Sequence, residues 1–182
     1  MSKLSKGAAA LPVALLAAAL LLAAPSCRRP KVQVQETEEE APHLASTVQM
    51  ADPAAAGQLS SGFYDVEANA WRWTQRQFAV VLRPPVRAAQ QGAVLELHLT
   101  IPRSSMDKLK SLSLSASIGG TALAPETYTK AGDYVYRREA PANLLAGEKV
   151  RIDFQLDKAL PPGAVDKREL GIVVASVGLA AQ

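Results

Sequence analysis

Val150-Arg151-Ile152-Asp153-Phe154-Gln155-Leu156 alternates apolar and polar residues without a fault. Successive side chains of an extended chain face opposite sides, so a period of two predicts a strand with one buried face and one wet face. The same period recurs on both sides of this stretch. Leu95, Leu97, Leu99 and Ile101 alternate with Glu96, His98 and Thr100; Leu112, Leu114, Ala116 and Ile118 alternate with three serines. Phe78 to Leu82 and Leu170 to Val177 are continuously apolar, which predicts central strands covered on both faces. Tyr134-Val135-Tyr136 adds another strand.

Turn signals separate these runs, among them Arg83-Pro84-Pro85, Gln91-Gly92, Ala131-Gly132-Asp133 and Pro161-Pro162-Gly163. Gly119-Gly120 leaves two residues between Ile118 and Thr121, which suits a tight hairpin with positive φ. Ser104 to Lys110 predicts one short helical turn. Seven or eight short strands with frequent turns predict an all-β fold, an antiparallel β-sandwich. Immunoglobulin-like and jelly-roll topologies both fit the pattern. Nothing suggests βαβ alternation, and there is no internal repeat.

The start of the 182-residue chain reads differently. Lys3 and Lys6 precede an uncharged, mostly apolar stretch from Gly7 to Pro25, and Ala24-Pro25-Ser26 leads to Cys27, the single cysteine. This is the layout of a secretory signal, residues 1–26, with positive charges that favour the cytoplasmic side. It resembles a lipoprotein signal, in which the cysteine becomes the acylated N-terminus. Leu is usual three residues before that cysteine; Ala24 stands there instead, and Pro25 is unusual. Ala24 and Ser26 equally suit ordinary signal peptidase. An uncleaved anchor is a third reading, because a helix over those 19 residues spans about 28 Å, roughly a bilayer core. One cysteine cannot form an internal disulfide, and acylation of Cys27 would remove a free thiol from an oxidising compartment. The chain is thus expected to be exported and membrane-anchored, on the periplasmic or outer face of a cell envelope, with membrane lipid as a partner through Cys27.

Residues 27–59 carry basic, acidic and Ala/Pro-rich blocks, few aliphatic residues and no aromatic ones. Such a segment buries too little apolar surface to offset ordering, so it is predicted to be a disordered tether. At roughly 5–6 Å × √n, about 30 residues would hold the domain about 30 Å from the membrane. Residues 60–182 are predicted to form one domain. From residue 61 onward Lys and Arg number 15 and Asp and Glu 12, scattered along the chain. A surplus of three positive charges without a patch argues against nucleic acid.

Motifs for chemistry are sparse. There is no nucleophile elbow, phosphate-binding loop or dinucleotide fingerprint. No His, Cys or Asp cluster has metal spacing, so neither metal nor cofactor is expected. His98 reads as a surface residue, and Ser113, Ser115 and Ser117 as a solvated strand face. Paired carboxylates for glycoside cleavage would have to come from residues such as Glu67, Glu96, Glu126 and Asp153, which sequence cannot place.

Two segments remain. One runs Gly62-Phe63-Tyr64-Asp65-Val66-Glu67, then Trp71-Arg72-Trp73; the other runs Pro161-Pro162-Gly163, then Asp166-Lys167-Arg168-Glu169-Leu170-Gly171-Ile172. Together they resemble a small β-sandwich accessory module found in bacterial envelope proteins and beside glycosyltransferase domains. The resemblance implies a non-catalytic domain, not an enzyme, and no particular ligand. Arg72 or Arg168 is expected to pair with Glu67, Asp166 or Glu169, with Glu67 the first choice for Arg168. Such a cluster either ties the sheet edges together or forms a sugar site with Tyr64 nearby and Trp71 or Trp73 stacking on a pyranose. Alternation puts both Trp on one face and Arg72 on the other, so at least one Trp is expected in the core. The expected function is a tethered, non-catalytic binding module whose partner is an envelope glycan or another protein. The alternative is a structural lipoprotein subunit of an envelope assembly.

Overall fold

The computed structural model describes residues 44–182. The signal segment, Cys27 and the first part of the expected tether lie outside the described residues. The described residues adopt the expected all-β sandwich, with nine antiparallel strands among them. They are β1 (Thr47–Gln49), β2 (Leu59–Glu67), β3 (Trp71–Leu82), β4 (Ala93–Ile101), β5 (Leu112–Ile118), β6 (Thr121–Tyr128), β7 (Gly132–Ala140), β8 (Val150–Leu156) and β9 (Val173–Ala181). Two short helices, α1 (Ala88–Gln91) and α2 (Arg103–Leu109), fill connections; α2 is the helical turn expected there.

The strands form one hydrogen-bonded path, β6-β5-β8-β3-β9-β4-β7, with β2 beside β3 and β1 beside β9. The path folds over at β3. Its second half, Gln77–Leu82, pairs with β8, whereas Arg72 and Trp73 pair with β9. One leaf is therefore β6-β5-β8-β3-β2 and the other β3-β9-β4-β7. Inward residues of both leaves merge into a single core. Phe78 and Phe154, opposite each other across β3 and β8, stack at 4.9 Å, and Phe63 meets Phe78 edge-on.

The far edges of the leaves are tied by side chains. Tyr136 Oη on β7 donates to the Ala124 carbonyl on β6 at 2.8 Å. Arg138 donates to the carbonyls of Ala124 and Pro125 and pairs with Glu126 at 3.0 Å. Its guanidinium also lies over the Tyr136 ring.

Three expectations need correction. The domain does not begin at residue 60. β1 pairs with β9, Val48 and Met50 are buried in the core, and a 3-10 turn over Pro53–Gln58 follows. Gln58 is buried, with its amide bonded to both backbone groups of Ala45 and to the Val81 carbonyl. β1 can approach because position 178 is glycine: a Cβ there would sit 2.4 Å from Thr47 Oγ1. Neither tryptophan is core. Thr74 is fully buried and Arg72 points the same way, so Trp71 and Trp73 face outward, half-buried on the surface. The last strand starts at Val173, not Leu170, which bridges singly to Leu160.

Candidate functional site

The two segments singled out in the sequence do meet. Arg168 Nη1 lies 2.7 Å from Glu67 Oε1, the pairing expected first, and Arg168 donates twice more to the Asp166 carboxylate, at 2.9 and 3.1 Å. The guanidinium stands over the Tyr64 ring at 5.1 Å. Tyr64 Oη donates to the Glu169 carbonyl at 2.9 Å. Arg72 faces inward at the end of the sandwich and donates to the carbonyls of Met50 and Tyr64, both at 3.0 Å. Glu169 Oε2 accepts the Arg76 amide at 3.0 Å. The doubly hydrogen-bonded guanidinium holds Asp166 below the usual carboxylate range, and the two carboxylates raise Arg168 further above its already high value.

The fold explains what this cluster holds. Between Trp73, which pairs with β9, and Gln77, which pairs with β8, residues 74–76 of β3 lack a strand on that edge. The segment leading into β9 fills the gap. Thr74 N donates to the Ile172 carbonyl, Gly171 N to the Thr74 carbonyl, and Ile172 N to Thr74 Oγ1. Gly171 is required by space, since a Cβ would lie 2.6 Å from Thr74 Oγ1 and 2.7 Å from the Gln75 carbonyl oxygen. Glu67, Asp166 and Arg168 thus staple this inserted segment to the β2–β3 hairpin. Of the predicted residues, Tyr64, Glu67, Arg72, Asp166, Arg168 and Glu169 all have partners inside the protein. Trp71 and Trp73 stay on the outer surface, edge-to-face at 6.4 Å. Trp71 is directly opposite Glu67 across the hairpin.

A second surface carries lighter internal ties: the Arg151–Asp153 pair, Arg151 to Ser60 Oγ, and Ser115 Oγ to the Gln155 carbonyl. On the outer face of the β6-β5-β8-β3-β2 leaf lies a trough of about 400 Å³. The strand register lines up Ala122, Ser117, Asp153, Ala79 and Ser61 in one row across all five strands. A parallel row contains Ser115, Gln155 and Gln77. The floor is made of small side chains, and amide, hydroxyl, carboxylate and guanidinium groups stand around it. Arg151 Nε donates to Asp153 Oδ1 at 2.8 Å and Arg151 Nη1 to Ser60 Oγ at 2.6 Å. Phe78 and Phe154, beneath the trough, point into the core.

Sequence reasoning saw this surface only as the serine stripe of β5. Its width appears once β8 and β3 are in register. The remaining carboxylate candidates are dispersed: Glu96 pairs with Arg137 and Glu126 with Arg138. His98 is exposed on β4, as expected. Among the described residues no His, Cys, Asp or Glu group has the geometry to hold a metal.

No family model and no curated protein matches the chain. Among solved structures, the chain is similar to TmCBM27, a carbohydrate-binding module whose mannan recognition has been dissected. That likeness has 14% identity and a TM-score of 0.45, covering 75% of this chain and 96% of the other. It is also similar to the acetyl xylan esterase Est2A of the rumen bacterium Butyrivibrio proteoclasticus, at 7% identity and a TM-score of 0.43, where 77% of this chain covers 33% of the esterase chain. A structure described under CBM4 structure and function gives 14% identity and a TM-score of 0.37, with 75% and 85% covered.

Proposed function

We propose that this chain is a non-catalytic glycan-binding module of a bacterial cell envelope, held at the membrane through Cys27, with the trough of the five-stranded leaf as its ligand face. One observation carries the reading. A continuous row of small and polar residues crosses five strands, so a ligand can lie against the sheet and meet hydrogen-bonding groups on both sides. Sugars are recognised through hydroxyls that both donate and accept, and the amides of Gln77 and Gln155, the hydroxyls of Ser115 and Ser117, and the Arg151–Asp153 pair offer both partners. Binding is favoured over cleavage because Asp153 is the one carboxylate among the lining residues, whereas glycoside cleavage takes two flanking carboxyls. The Arg168 cluster supports the same placement, since its charges are taken up in holding the fold.

A glycan array probed with the full-length chain in detergent tests the proposal. Binding should appear and weaken at least several-fold in Asp153→Ala and Gln155→Ala chains of unchanged circular dichroism. A silent array, or binding that both variants leave intact, would remove the trough from consideration. The anchor has a separate test. Metabolic labelling with a fatty-acid analogue should mark the wild type and not Cys27→Ala; an unlabelled wild type excludes lipidation. Several acyl chains hold a protein stably where one does so only marginally.

A further inference from the structure

The trough has a direction, two open ends and a floor without rings. Its long row runs perpendicular to the strands, from Ala122 on β6 to Ser61 on β2. Among the described residues each of these two strands pairs with a strand on one edge only, β6 with β5 and β2 with β3, and the side chains of β7 reach β6 at Ala124 to Glu126, beyond Ala122, so no described strand closes either end. Five strands leave four gaps of roughly 4.8 Å, a path of about 19 Å with room for about four hexopyranose units.

Neither row presents an aromatic ring. Ala79, in the middle of the row, adds only a methyl group and is 1% exposed. Stacking of a sugar face on a ring, the contact that the outward Trp71 and Trp73 suggest, has no partner in the trough. What the rows offer instead are groups that meet hydroxyls at a ring's edge. Their charges cancel, because Arg151 and Asp153 are bonded to each other and Arg151 also engages Ser60.

Resting on the glycan reading above, we infer that the trough takes an internal stretch of a linear, uncharged polysaccharide, edge-on, across the strands, through hydrogen bonds and without stacking. The open ends exclude a requirement for a chain terminus. The cancelled charges exclude a requirement for an acidic or basic sugar.

The test is titration calorimetry of the full-length chain in detergent with linear manno-, cello-, chito- and malto-oligosaccharides of two to six units. For the series that binds, affinity should rise with each added unit and level off at about four, at a heat-capacity change close to zero, since little apolar surface is buried. Ser117→Trp, which fills the row, should lower affinity at least tenfold, and Gln155→Ala, the milder change, several-fold. Trp71→Ala and Trp73→Ala should leave it within twofold. Full affinity already at two units, or loss on blocking the terminal sugar, would overturn the internal-chain inference. Loss in the Trp variants with the trough variants unaffected would overturn the ring-free mode. Failure of every series to bind would instead overturn the glycan reading on which this inference stands.

Discussion

The Arg168 guanidinium meets Glu67, Asp166 and the Tyr64 ring at once, and each contact holds the segment entering β9. All three ionic side chains remain about a third exposed, so water screens them. Arg168→Ala is expected to cost about 1–2 kcal/mol and lower the melting temperature by several degrees. The sugar binding proposed for the trough should fall only in proportion, and the wild-type affinity should return at a temperature where the variant is folded. A variant with normal melting and lost binding would make Arg168 a ligand residue. Two tyrosines set the alkaline limit. Burial pushes the hydroxyls of Tyr128 and Tyr136 above the ordinary phenol value of 10.0. The folded-state value lies above the unfolded one, so their contribution is intact below about pH 10 and is lost as pH climbs through the folded-state value. Denaturant midpoints should therefore decline above pH 10. Tyr128 Oη is buried without a partner among the described residues. Tyr128→Phe should be near neutral at pH 7, within about 1 kcal/mol, and should shrink the alkaline decline.

Individual strands were legible because alternation is local. β5, β8 and β4 from Leu95 onward follow it residue by residue, and the Gly119-Gly120 hairpin has both residues at positive φ, as expected. The β2–β3 hairpin was hidden because Ala68 and Asn69, not glycines, take the left-handed conformation. β1 was hidden because only three residues pair, and the alternation of Thr47-Val48-Gln49-Met50 is too short to stand out beside the Ala- and Pro-rich stretch that follows. The candidate site was half legible: the two halves of the Arg168 cluster were visible, and its role as filler for the gap in β3 was not. That role depends on where β3 leaves one leaf for the other, which no local pattern encodes. Gly171 belongs to this level. Gly171→Ala forces a methyl against backbone and Thr74 and should destabilise by about 2–4 kcal/mol, read as a shift in urea midpoint. A midpoint within error of the wild type would mean that the inserted segment can move aside.

At the scale of the molecule, residues 47–58 belong to the folded unit. A chain starting at Ser60 would lose Met50 from the core and leave the β9 edge beside β1 bare. It should show a melting temperature at least 10 °C lower than a chain starting at residue 44, or aggregate, given about 2–5 kcal/mol for one buried methionine-sized void. Equal melting curves would return β1 to the tether. The exposed-edge route to assembly is weakened at the same scale, because Arg138 and Tyr136 bond β7 to the β6 carbonyls and β2 is broken by three register shifts.

β1 also stands where load would enter. If Cys27 is fixed in a membrane and the trough grips a polymer, a pull between them reaches Ala45 and Ser46 first. These residues are held by Gln58, Arg83 and Leu179, and β1 itself pairs with β9 over three residues. Releasing residues 45–58 would pay out 14 residues, about 45–50 Å of slack at 3.3–3.6 Å each, while β2 to β9 stay paired. The protein would behave as a strap with a give-way stitch at its membrane end, lengthening under a tug before it lets go of its cargo.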